Sequence, residues 1–83
     1  MKTIFEQAVE DSKDLKSKPS NESLLQLYSL YKQATVGDIN AEAPSNPFDF
    51  VAKAKYEAWQ NCAGMDQQKA EQEYIKLVER LKS

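Results

Sequence analysis

The few helix breakers constrain this chain more than any other feature. Only two glycines and three prolines occur in 83 residues. Pro19, Gly37, Pro44, Pro47 and Gly64 fall between four stretches in which apolar residues recur every three or four positions. No stretch alternates apolar and polar residues with the period of two that a half-buried strand needs, and no internal repeat is evident. The expected product is all-α, with four helices in one domain spanning residues 1–83. A chain this short buries only about 60% of its unfolded surface, which suffices for one modest core.

Each stretch carries its own start and stop signals. Thr3 and Glu6 have capping-box spacing, and Phe5, Ala8, Val9, Ser12 and Leu15 then share one face. That helix is expected to end near Lys16, where Lys13 and Lys16 suit the negative end of its dipole and the residue before Pro19 is pushed to extended backbone. Ser20 is a natural N-cap for the second helix, which carries Leu24, Leu25, Leu27, Tyr28, Leu30, Tyr31 and Ala34 and stops at Gly37. So much apolar circumference means neighbours on two sides, or one side turned to a ligand. Asp49 is the expected N-cap of the third helix, with Phe50, Val51, Ala54, Ala58, Trp59 and Cys62, closed by Gly64. Asp66 caps the fourth, whose buried stripe is Ala70, Tyr74, Ile75, Val78 and Leu81.

Residues 37–49 contain no periodic pattern. A structureless connection of this length is uncommon in a small domain. About twelve extended residues reach roughly 40 Å, whereas a sixteen-residue helix is about 24 Å long. The connection can therefore run back along the second helix, so that the third lies parallel to it. The expected architecture is a four-helix bundle with one long crossover between helices 2 and 3.

Composition excludes several kinds of function. There is no histidine, which removes Ser-His-Asp and Cys-His catalysis, histidine acid–base work and the usual zinc sites. The single cysteine, Cys62, allows no internal disulfide and fits a reducing, cytoplasmic setting. Lys plus Arg is 11 against 13 Asp plus Glu, spread evenly, so electrostatic capture of nucleic acid or of an anionic membrane is not expected. No run of about 18 apolar residues is present to span a bilayer, and the N-terminus lacks the apolar core of a signal peptide.

Few residues offer chemistry. Asp38, Asn40 and Glu42 imitate the start of a calcium loop, but Ala43 stands where the turn needs glycine and Asp49 where a bidentate glutamate is needed. No metal is expected. Cys62 reads as a small core residue, with neither a histidine nor a CxxC partner to activate it. Tyr28, Tyr31 and Lys32 share one helical face by spacing. They fit either a half-buried tyrosine pair with a solvated lysine or a platform for a stacked base beside a phosphate. Tyr56 and Trp59 read as aromatic packing.

Longer motifs decide between these readings. Tyr28-Ser-Leu-Tyr31-Lys32-Gln33-Ala34-Thr35-Val36-Gly37-Asp38-Ile39-Asn40 resembles the signature of acyl-CoA-binding proteins. Lys53-Ala-Lys55-Tyr56-Glu57-Ala58-Trp59 resembles their second signature, and Phe5 and Leu15-Lys16-Ser17-Lys18-Pro19-Ser20 fit as well. The resemblance covers essentially the whole chain. It implies an up-down-down-up four-helix bundle, a monomer that binds long-chain acyl-CoA esters without catalysis or cofactor and acts as a carrier and buffer. Carried over by motif, Tyr28, Lys32 and Lys55 hold the ribose 3′-phosphate. Tyr31, Val9, Lys13 and Tyr74 flank the adenine, and Leu25 with the start of the third helix lines an acyl groove. The chain departs from the family pattern at Ala43, where arginine is frequent, at Val51, where a polar residue is frequent, and at Tyr56, which replaces a common tryptophan. A bundle that kept the fold without the ligand would instead be an all-α protein–protein interaction module. A co-purifying CoA ester in native mass spectrometry separates the two.

Overall fold

The computed structural model describes residues 1–82. They form four helices: α1 (Ile4–Lys13), α2 (Asn21–Thr35), α3 (Phe50–Gln60) and α4 (Gln67–Lys82). No strand occurs among the described residues. The four expected N-caps are in place. Thr3 Oγ1 accepts from the Glu6 N–H at 3.0 Å while the Glu6 carboxylate accepts from the Thr3 N–H at 2.9 Å, a reciprocal capping box. Ser20 Oγ accepts from the Ser23 N–H at 3.1 Å, Asp49 Oδ1 from the Ala52 N–H at 3.0 Å, and Asp66 Oδ1 from the Gln68 N–H at 2.7 Å.

Two helix ends differ from expectation. α1 stops at Lys13, not near Lys16, because Asp14 leaves helical backbone at φ −115°, ψ 23°. Ser12 helps to end it there by donating its hydroxyl to the Val9 carbonyl at 2.7 Å, the local competition that serines and aspartates offer a helix. α3 stops at Gln60. The chain then tightens into three-residue turns, Cys62 N–H to Trp59 O at 2.9 Å, Ala63 N–H to Gln60 O at 3.1 Å and Met65 N–H to Cys62 O at 3.0 Å. Cys62 therefore lies in the α3–α4 turn and is half-buried, not part of the core as its apolar spacing suggested. Gly37 and Gly64 end their segments with φ of +99° and +89°, conformations that other L-residues rarely adopt.

By backbone approach the helices are ordered α1, α4, α2, α3, and α1–α2 and α3–α4 make no direct backbone approach among the described residues. Side-chain register gives their directions. Tyr28 meets Lys55 and Lys32 meets Trp59, so α2 and α3 run parallel. Phe5 meets Tyr74 while Asp11 meets Lys82, so α1 and α4 run parallel. Gln33 near the end of α2 reaches Met65, just before α4, whereas Glu22 and Arg80 line one cavity, so α2 and α4 are antiparallel. This is the up-down-down-up bundle, and the 37–49 crossover is what lets α3 return parallel to α2.

The core lies where α4 meets α1 and α2. Ala8, Leu27, Tyr74, Leu77 and Val78 form it, with Phe5, Val9, Leu30, Ile75 and Leu81 half-buried around them. Leu77 falls outside the stripe expected for α4; it is buried because α4, an inner helix, packs on two sides. A polar network pins the lower end. Gln33, fully buried, donates Nε2 to Asp38 Oδ1 at 2.8 Å and to the Met65 carbonyl at 2.7 Å, and the same Asp38 oxygen accepts from the Gly64 N–H at 2.9 Å. Trp59 donates Nε1–H to the Gly37 carbonyl at 2.9 Å. The start of the crossover is thus tied to both flanking segments.

Candidate functional site

A crevice remains between α1 and α2, because α4 holds them apart. Aromatic rings fill its floor and one end: Phe5 stacks on Tyr31 with centroids 6.1 Å apart, and Tyr74 meets Phe5 edge-on at 5.3 Å. Burial pushes the Tyr74 phenol above the usual tyrosine value, an effect the Ser12 hydrogen bond opposes and Tyr31 reinforces. The neutral hydroxyl donates to Ser12 Oγ at 3.0 Å, and Ser12 passes the chain on to the Val9 carbonyl. Beside these rings is a cavity of about 300 Å³ lined by Val9, Ser12, Lys13, Leu27, Tyr28, Tyr31 and Tyr74. All four residues expected to flank an adenine, Val9, Lys13, Tyr31 and Tyr74, face this one space. Tyr31, 40% exposed, presents a flat ring to it.

Tyr28 links this cavity to a second. Lys32, one turn further along α2, places Nζ 6.0 Å from the Tyr28 ring centroid and 5.5 Å from the Trp59 ring. Lys55, brought up by parallel α3, places Nζ 5.3 Å from the same Tyr28 ring. Neither ammonium forms an ion pair among the described residues; the bridged lysines are Lys2, Lys69, Lys76 and Lys82. Two cations from different helices therefore converge on one phenol with their charge uncompensated. That arrangement suits a multiply charged anion, to which lysine offers point charge and tyrosine a hydroxyl donor. Tyr28 and Lys32, which share a helical face by spacing, and Lys55, joined to them in the sequence only by motif, are gathered in space.

Beyond Tyr28 lies a groove between the first turns of α2 and α3. Its cavity of about 440 Å³ is lined by Asn21, Leu24, Leu25, Tyr28, Phe50, Val51, Ala54 and Lys55. Phe50 and Val51 are 72% and 66% exposed, apolar side chains that the fold itself leaves uncovered. Leu25 stands here, as expected. Leu24, Phe50 and Ala54 belong to the groove without having been singled out as site residues, although the start of the third helix had been. Ser12 and Gln33 went unassigned: Ser12 reads as part of a helix face, and nothing in local spacing marks Gln33 as a buried clamp. Lys53 is exposed and joins none of these clusters. The calcium imitation has a structural explanation, since the Asp38 carboxylate is already engaged by Gln33 and Gly64. Those bonds, the Gly64 one first, hold the Asp38 carboxyl below its ordinary value. Among the described residues no three histidine, cysteine or acidic groups cluster as a metal site requires, and no helix is long and apolar enough to cross a membrane.

The face therefore presents an aromatic slot, a cationic centre and an apolar groove in sequence, with Tyr28 common to all three. Known proteins share its framework. The family model described as acyl CoA binding protein matches residues 2–78. The acyl-CoA-binding protein of Saccharomyces cerevisiae is 47% identical over 78 residues, covering 94% of this chain and 88% of that protein. Acyl-CoA-binding protein homolog 1 of Caenorhabditis elegans is 43% identical over 81 residues, covering 98% of this chain and 93% of that one. The crystal structure of Oryza sativa Acyl-CoA-Binding Protein 2 superposes with a TM-score of 0.87 at 38% identity, covering 94% of this chain and 86% of that chain. Sequence and fold agree over nearly the full length: the chain belongs to the acyl-CoA-binding protein family.

Proposed function

We propose that the whole chain acts as one module that binds long-chain acyl-CoA esters and carries them in a reducing, cytoplasmic setting, as a monomer and without chemistry of its own. The observation that carries this reading is the convergence of Lys32 and Lys55 on Tyr28 at the junction of an aromatic slot and an apolar groove. In this reading the adenine lies against Tyr31 and Tyr74 beside Val9 and Lys13. The ribose 3′-phosphate takes Lys32, Lys55 and the Tyr28 hydroxyl, and the acyl chain lies along Leu25, Phe50 and Val51. A nucleotide end held by point charges and an apolar end held by burial act on different parts of one ligand, so their contributions reinforce each other. The chain has no histidine, and Cys62, half-buried in the α3–α4 turn, has neither a histidine nor a second cysteine to activate it. Both support a holder of the thioester over a hydrolase.

Calorimetric titration with palmitoyl-CoA and with free CoA tests the reading. Each buried methylene stabilises by up to about 0.8 kcal/mol before ordering costs. The ester should therefore bind at least about a thousandfold more tightly than CoA, a difference of about 4 kcal/mol. Equal affinities would show that the groove takes no acyl chain.

A further inference from the structure

We propose that the far end of a very long acyl chain passes Leu25 and enters a second cleft, between α3 and α4. This extends, and rests on, the acyl-CoA reading above. The cleft exists because α3 and α4 do not pack on each other; α2 forms its floor and the 61–66 turn joins its walls. Its volume is about 500 Å³, within the range of small-ligand sites. Leu25, Leu30 and Leu77 supply aliphatic surface, and Ala58 and Cys62 line the α3 side.

Two observations identify the occupant. Leu25 lines both this cleft and the acyl groove, so one side chain partitions them. On α3 the two spaces are bordered by Ala54 and Ala58, one helical turn apart, and neither offers bulk beyond a methyl group. The proposed path runs past Leu25, whose side chain must turn aside for the two spaces to join. The rim, by contrast, is electrically balanced. Lys69 is paired with Glu73 at 3.0 Å, and Glu22 and Arg80 contribute one charge of each sign. Gln26, Ser29 and Asn61 add only uncharged polar groups, so nothing there selects a charged ligand, and Leu25, Leu30, Met65 and Leu77 leave an apolar path for hydrocarbon continuing from the groove. Every methylene that enters should tighten binding by up to about fourfold.

Cys62 reports occupancy, because it is the only cysteine and lines the cleft. The full chain is saturated with dodecanoyl-CoA or docosanoyl-CoA, saturation being verified calorimetrically, and the rate of alkylation by N-ethylmaleimide is measured. Docosanoyl-CoA should slow alkylation at least about tenfold relative to dodecanoyl-CoA, because only the longer chain reaches past Leu25. Ala58→Leu, which fills the cleft, should weaken docosanoyl-CoA about tenfold, the worth of roughly two methylenes, and leave dodecanoyl-CoA within about twofold. If both esters bind but protect Cys62 equally, or Ala58→Leu weakens both equally, the second cleft is not used and the acyl-CoA reading stands. If neither ester binds, that reading fails and the proposal fails with it.

Discussion

The α1–α2 crevice and the α3–α4 cleft arise in the same way: each lies between two helices held apart by an intervening one. Their chemistry differs completely. The first has a floor of tyrosines and, beside it, two lysines without acidic partners. The second has leucines set among uncharged polar groups and a rim of paired or balanced charge. Bundle geometry alone thus makes openings, and side-chain choice gives one of them the rings and the unpaired cations that suit an anion with a flat ring. The difference also has an energetic side. Leu77 of the α3–α4 cleft belongs to the core, whereas Lys55 beside the crevice is exposed.

The largest expected contrast follows from that. Leu77→Ala should destabilise the fold by about 2–5 kcal/mol through lost burial and the cavity left behind, read as a lower midpoint in urea. Lys55→Ala should leave the urea midpoint unchanged and weaken acyl-CoA instead. A large stability loss from Lys55→Ala would show that the crevice lysines hold the fold together and are not kept for a ligand.

How much of this was readable beforehand depends on which residues set each feature. Four N-caps and both left-handed glycines were legible because capping and positive φ are local properties of Thr3, Ser20, Asp49, Asp66, Gly37 and Gly64. α1 ends three residues before the expected Lys16 because Ser12 and Asp14 stop it from within, a competition that apolar periodicity does not register. Leu77 was missed because the two-sided burial of α4 is a property of the packed bundle. The candidate site residues are named only through the family resemblance, since spacing by itself leaves Tyr28, Tyr31 and Lys32 open between core edge and ligand platform. The α3–α4 cleft was invisible, for it depends on two helices failing to meet.

A smaller effect concerns acid. Asp38 fastens Gln33 of α2 to the turn that closes the α3–α4 cleft, and its pKa is lowered in the fold, chiefly by the Gly64 N–H and then by Gln33. A depressed folded pKa adds stability that is present above the unfolded value, about 3.9, and is lost as pH falls through the folded one. Stability measured from pH 5 downward should therefore fall less steeply in Asp38→Asn than in the parent chain, with the curves parallel above pH 5. Identical slopes below pH 4 would mean that the Asp38 tether contributes nothing to the acid response of the fold.

The proposed placement of the nucleotide requires Lys32 to touch a phosphate, and a double-mutant cycle between protein and ligand measures this directly. A hydrogen bond to a charged group contributes about 1.5–3 kcal/mol. A long-chain ester of 3′-dephospho-CoA should therefore bind at least about tenfold more weakly than the parent ester. Lys32→Ala should cost at least about tenfold with the parent ester and less than about threefold with the dephospho ester, because its partner is then already missing. Equal losses with both esters, in a variant whose helical content is intact, would show that Lys32 does not contact the 3′-phosphate and would contradict the proposed placement of the nucleotide.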